Sequence, residues 1–148
     1  MSPNGEGATA TAHRPVALNV GLDPAIVGAP KTPSSSFPDV DAETVERGIE
    51  QTRRDANELG LDLDVFLIDR TEGVEGRFRD KLESGDYAII VIGGGVRLEP
   101  SLTHLFEALV NSVLAYAPNA TVCFNTGPDT TIDAIRRWWP TSTPVPAL

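Results

Sequence analysis

YAIIVIGGGVRLEP, residues 87–100, is an apolar run that breaks into three glycines and an arginine. Its first six residues barely alternate in polarity, the pattern of a strand covered on both faces in a parallel sheet. The glycines raise the question of a dinucleotide-binding turn. That fingerprint needs G-x-G-x-x-G after the first strand, opening a helix directly, with an acid about 20 residues further on. Gly93 and Gly95 fill its first two positions, but Leu98 occupies the third, and Glu99-Pro100 intervenes before the next helix. The run also follows two earlier strands, and no Gly-Lys-Ser/Thr of a nucleoside-triphosphate loop is present. NAD, FAD and nucleoside triphosphates are therefore not expected ligands, and no cofactor is predicted.

The other strands and helices read outward from this point. VALNVGL (16–22), DLDVFLI (62–68) and ATVCF (120–124) are short apolar runs, each read as a strand. Helices are expected at 42–59, 75–84, 102–117 and 130–139. Asp41 is read as the cap of the first, with Val45, Ile49, Ala56 and Leu59 at helical spacing and Gly60 as its stop. Ser101 is read as the cap of the third, which Pro118-Asn119 ends, and Thr130 with Asp133 as a capping box on the fourth, ended by Pro140. Strand alternating with helix four times predicts a three-layer α/β fold. Its parallel sheet of four strands takes the flavodoxin-like order 2-1-3-4, with helices on both faces. The expected organisation is a flexible leader over 1–15, a single domain over 16–140 and a Pro-rich tail, TSTPVPAL, over 141–148. The long connection 23–40 leaves the carboxyl end of the first strand and is read as a lid or a loose insertion.

Composition narrows the partners. Hydrophobic residues are 41% and charged residues 22% of the 148, an ordinary globular balance. A net charge of −9 repels phosphate backbones and anionic lipid, so neither nucleic acid nor membrane is expected. No apolar stretch reaches the length of a membrane span, and the leader lacks the regions of a signal peptide. With one cysteine, Cys123, a reducing, cytoplasmic setting is expected. Only His13 and His104 are histidines, which argues against a multi-histidine metal site.

Several residues are candidates for a site. Gly93, Gly94 and Gly95 let backbone N–H groups approach a ligand. Arg97 adds a planar fork suited to carboxylate or phosphate. The alternative is a tight turn with Arg97 in solvent or paired to Glu99. Asn125 and Thr126 leave the fourth strand beside that turn and offer hydrogen bonds, next to a helix N-terminus that favours anions. Thr126 also reads as a local turn residue. In helix 102–117, Leu102, Leu105, Phe106, Leu109, Val110, Val113 and Tyr116 form one apolar side. His104, Glu107 and Asn111 lie opposite, within reach of one another, and the helix carries no Lys or Arg. They read either as an acid–base cluster or as polar groups in a homodimer interface. Cys123 is read as a core residue, and Trp138 with Trp139 as a core anchor and a rim aromatic.

GLDP (21–24), IGGGVR (92–97), FEALVN (106–111) and FNTGPDT through RRW (124–138) resemble segments of a family of small, uncharacterised bacterial α/β proteins. The resemblance implies a flavodoxin-like or Rossmann-like single domain with a site around Asp23, Arg97, Glu107 and Asn125. The layout is also similar to response-regulator receivers. However, only Asp23 stands where an acidic pair belongs, glycines replace the phospho-acceptor, and the last lysine is Lys81. The expected function is binding of a small anionic metabolite, a carboxylate or phosphate, at the C-terminal edge of the sheet. Cofactor-independent catalysis there would use Glu107, Asp23 or His104 for proton transfer. The alternatives are a non-enzymatic homodimeric module joined through helix 102–117, and an FMN binder using KTPSSSF (31–37).

Overall fold

In the computed structural model, which describes residues 14–23, 25, 42–69 and 71–140, the four apolar runs are strands. They are β1 (Val16–Leu22), β2 (Asp62–Ile68), β3 (Tyr87–Ile92) and β4 (Thr121–Phe124). The helices are α1 (Ala42–Glu58), α2 (Val74–Ser84), α3 (Gly94–Arg97), α4 (Thr103–Tyr116) and α5 (Thr131–Trp138). All strand pairs are parallel and the order is β2-β1-β3-β4, the expected topology.

Strand alternation sends successive side chains to opposite faces, and each face has its own core. Leu18, Val20, Phe66, Ile90 and Ile92 meet Phe78 and Leu82 of α2 and Leu109 and Val113 of α4. Ala17, Leu63, Ile89, Val91 and Cys123 meet Ala56 of α1 and Ile132, Ala134 and Ile135 of α5. Phe78 is fully buried, worth about 1.5–3 kcal/mol, and its ring lies 5.2 Å from that of Phe66. Trp138 and Trp139 are partly buried against the second core.

Helix boundaries differ from the sequence reading in instructive ways. The GGGVR turn is one turn of helix rather than a loop. Gly93 there has an ordinary φ of −73°, so close approach rather than backbone handedness explains the glycines. Ser101 does not cap α4. Pro100, with its fixed φ and missing donor, starts a 3₁₀ turn over Pro100–Leu102, and the Glu99 carboxylate accepts from Ser101 N at 3.2 Å and Oγ at 2.8 Å. Thr130 precedes α5, but its hydroxyl turns back and accepts from the amides of Thr126 (2.9 Å) and Gly127 (3.2 Å). No side chain therefore caps α5. Gly60, at φ +87°, ends α1 as expected. The Asp41 cap, the leader up to residue 13, the tail and nearly all of connection 23–40, KTPSSSF included, lie outside the described residues, while Arg14, at the leader's end, pairs with Asp62 at 3.1 Å. No described helix is long and apolar enough to cross a membrane.

Candidate functional site

The register builds a gap into the sheet. Val20 pairs with Ile92 and Ile92 with Phe124, so the next residues, Gly21, Gly93 and Asn125, form one row across three strands. Leu67 extends that row on β2. By alternation the row faces α1 and α5, one step beyond the row holding Val65, Asn19, Val91 and Cys123. Its two central members have no side chains. A Cβ placed on Gly21 would meet nothing within 4 Å. The missing layer is a cavity of about 90 Å³, well above the roughly 10–15 Å³ that holds a single water.

Its walls come from both sides of the chain. Val45 and Ile49 of α1 line one side, and Gly127, Pro128 and Thr131 at the entry to α5 line the other. Gly48 brings these walls together, because a Cβ there would sit 2.9 Å from Pro128 Cβ. Most of the lining is apolar, and among the described lining residues none is charged.

Three polar side chains define the remainder. Asn125, 6% exposed, is a strut: its Oδ1 accepts from Gly94 N–H at 2.8 Å, and its Nδ2 donates to Thr131 Oγ1 at 2.7 Å. Glycine at 94 eases this approach, since a Cβ would lie a tight 3.3 Å from Asn125 O. Thr131, 1% exposed, keeps its hydroxyl hydrogen free of any described acceptor. Asn19 differs from both. It lines the cavity at 9% exposure, and its amide has no hydrogen-bond partner among the described residues. Among the described residues the buried side-chain atoms left unpaired are Arg77 Nε and Arg97 Nε, so the Asn19 amide is reached by solvent through the cavity, and a polar guest there would replace that water. The start of α5, capped by no side chain, reaches the cavity at Thr131, and a helix N-terminus carries partial positive charge.

The structure sorts the expected site residues into four places. Gly93, Gly94, Gly95, Asn125 and Thr126 line the cavity. Thr126 is exposed, and its hydroxyl lies 3.1 Å from that of Thr130. Arg97 is next to Asn125 but turned away from the cavity. Its guanidinium donates to Asn125 O at 3.0 Å and stacks 5.4 Å from the centre of the Phe124 ring. Phe124 packs on Phe106 of α4, which places this pair on the α2/α4 side of the sheet. Arg97 Nε is buried with no partner among the described residues. Asp23 accepts from Ala25 N–H at 2.8 Å and borders an adjoining open depression with Glu46 and Glu50, which shares Ile49 and Leu67 with the cavity.

His104, Glu107 and Asn111 are exposed on α4, with the sheet between them and the cavity, and Leu114 beside them is 65% exposed. Cys123, 1% exposed, belongs to the second core, and burial pushes its thiol up to about 12, only partly offset by Arg137. The described residues contain no cluster of three or more His, Cys, Asp or Glu able to hold a metal ion.

Asn19 and Gly21 were absent from the sequence reading, although both signals stand in VALNVGL. An amide inside a central strand and a glycine two residues later break the apolar run on one face only. Reading that stretch as uniformly apolar hid them. No family model, curated protein or solved structure matches the chain, and the resemblance carried by GLDP, IGGGVR, FEALVN and FNTGPDT yields no family assignment.

Proposed function

We propose that this protein binds a small molecule with an acceptor-rich, anionic head in the cavity at the C-terminal edge of the sheet. The observation that carries the reading is the unpartnered Asn19 amide, nine-tenths buried, in a space that Gly21 and Gly93 leave open. Support for an anionic head comes from the company it keeps: the Thr131 hydroxyl, the free amides of α5 and no carboxylate among the described lining residues. Arg97 plays no part in this reading, because its guanidinium is engaged on the other side of the sheet. Binding is favoured over turnover, since no titratable side chain is among the described lining residues.

The test is an amide-resonance titration of the full chain with acetate, butyrate and inorganic phosphate. Shifts should concentrate at Asn19, Gly21, Asn125 and Thr131, and Asn19→Leu should abolish them while Arg97→Ala leaves them intact. Shifts clustered instead around Asp23 or Arg97 would move the site elsewhere.

A second reading, a homodimer through α4, has one observation in its favour. Leu114 is 65% exposed on a helix without Lys or Arg. Sedimentation showing a monomer at micromolar concentration would remove it.

A further inference from the structure

Resting on that cavity reading, we infer that the occupant is a monocarboxylate with a short unbranched apolar tail, and that Gly21 sets the tail length. The cavity has two chemistries. The polar part of its lining is uncharged and includes the Asn19 amide and the Thr131 hydroxyl, with the start of α5 beside it. The apolar part includes Val45, Ile49, Leu67 and Pro128. A phosphate dianion brings two charges and no apolar surface. It would be desolvated among aliphatic side chains, with only a helix N-terminus of about half a charge to face it. A hydrocarbon alone would leave Asn19 as unpaired as it is now. A carboxylate head on an aliphatic tail satisfies both kinds of lining, and about 90 Å³ limits it to a few heavy atoms.

Gly21 lines this cavity two residues beyond Asn19 on β1. Because a Cβ on it would touch nothing within 4 Å, Gly21→Ala adds a methyl to the empty space without disturbing a neighbour. It should shorten the space by one carbon and leave the fold unchanged.

The experiment titrates the full chain with straight-chain carboxylates from acetate to hexanoate, and with inorganic phosphate, for wild type, Gly21→Ala and Asn19→Leu. In wild type each added methylene should tighten binding about fourfold until the tail outgrows the space. In Gly21→Ala, matched to wild type by circular dichroism and Tm, the preferred chain should be one carbon shorter. Asn19→Leu should weaken every carboxylate at least tenfold. Phosphate binding as tightly as the best carboxylate, or an unchanged optimum in Gly21→Ala, overturns this inference while leaving the cavity reading standing. If no probe shifts the resonances of the cavity lining, the cavity reading and this inference fall together.

Discussion

Asn125→Ala tests how the cavity is held open. The Asn125 amide bridges Gly94 N–H at 2.8 Å and Thr131 Oγ1 at 2.7 Å, tying the exit of β3 to the start of α5 at a site only 6% exposed. Alanine leaves the Gly94 N–H without an acceptor in a buried place, which costs about 1–3 kcal/mol. Losing the second bond adds about 0.5–1.5 kcal/mol, since the Thr131 hydroxyl can turn but gains no new donor. The expected loss is about 2–4 kcal/mol, a large share of the roughly 5–15 kcal/mol of a domain this size. Urea unfolding at pH 7 measures it, with the midpoint falling and the slope m unchanged. Thr131→Val removes one end of the strut alone, and the double variant should show a coupling of about 1 kcal/mol. A loss below about 0.5 kcal/mol for Asn125→Ala, or strictly additive effects in the pair, would refute the strut.

Tyr87 donates to Asp64 Oδ2 at 2.7 Å, with Lys81 Nζ 3.1 Å from the same oxygen. Burial alone would raise the Asp64 pKa, but bonds from Tyr87, Lys81 and the Val65 amide outweigh it and hold the carboxyl below 3.8. Tyr87→Phe should cost about 1 kcal/mol, reduced from the dry value because the Asp64 side chain is 40% exposed. Because the folded pKa is depressed, that difference should be constant above about pH 5 and vanish as pH falls through the folded value, as unfolding series at pH 3–7 would show. Gly48→Ala and Gly76→Ala should have opposite signs. The first drives a Cβ to 2.9 Å from Pro128 and should destabilise by about 1 kcal/mol despite better helix propensity. The second meets nothing within 4 Å and should stabilise by about 0.5–1 kcal/mol in thermal melts. Cys123 should resist iodoacetamide in the native protein at pH 8 and react fully in denaturant, because burial holds its thiol protonated; rapid native labelling would contradict its place in the core.

Four strands and the helices between them were legible from hydrophobic runs and punctuation, because each of those signals is local; their order was an analogy with the flavodoxin-like arrangement, which the sheet follows. YAIIVI carries no partner information, yet its lack of alternation already implies cover on both faces, and that favours a parallel sheet. Capping was less legible. Ser101 and Thr130 have the right chemistry, but Glu99 and the 126–130 loop compete for their hydrogen bonds, and that competition depends on the fold. The site shows the same division. The strand exits are adjacent as the topology predicts, so Gly93 and Asn125 meet. Whether Arg97 points into the space between them depends on which face of the sheet carries Phe124, a matter of parity and register between strands far apart in sequence. The cavity is a product of register as well. Gly21 and Gly93 are 72 positions apart in numbering, and only their alignment in adjacent strands turns two absent side chains into one space beside the Asn19 amide.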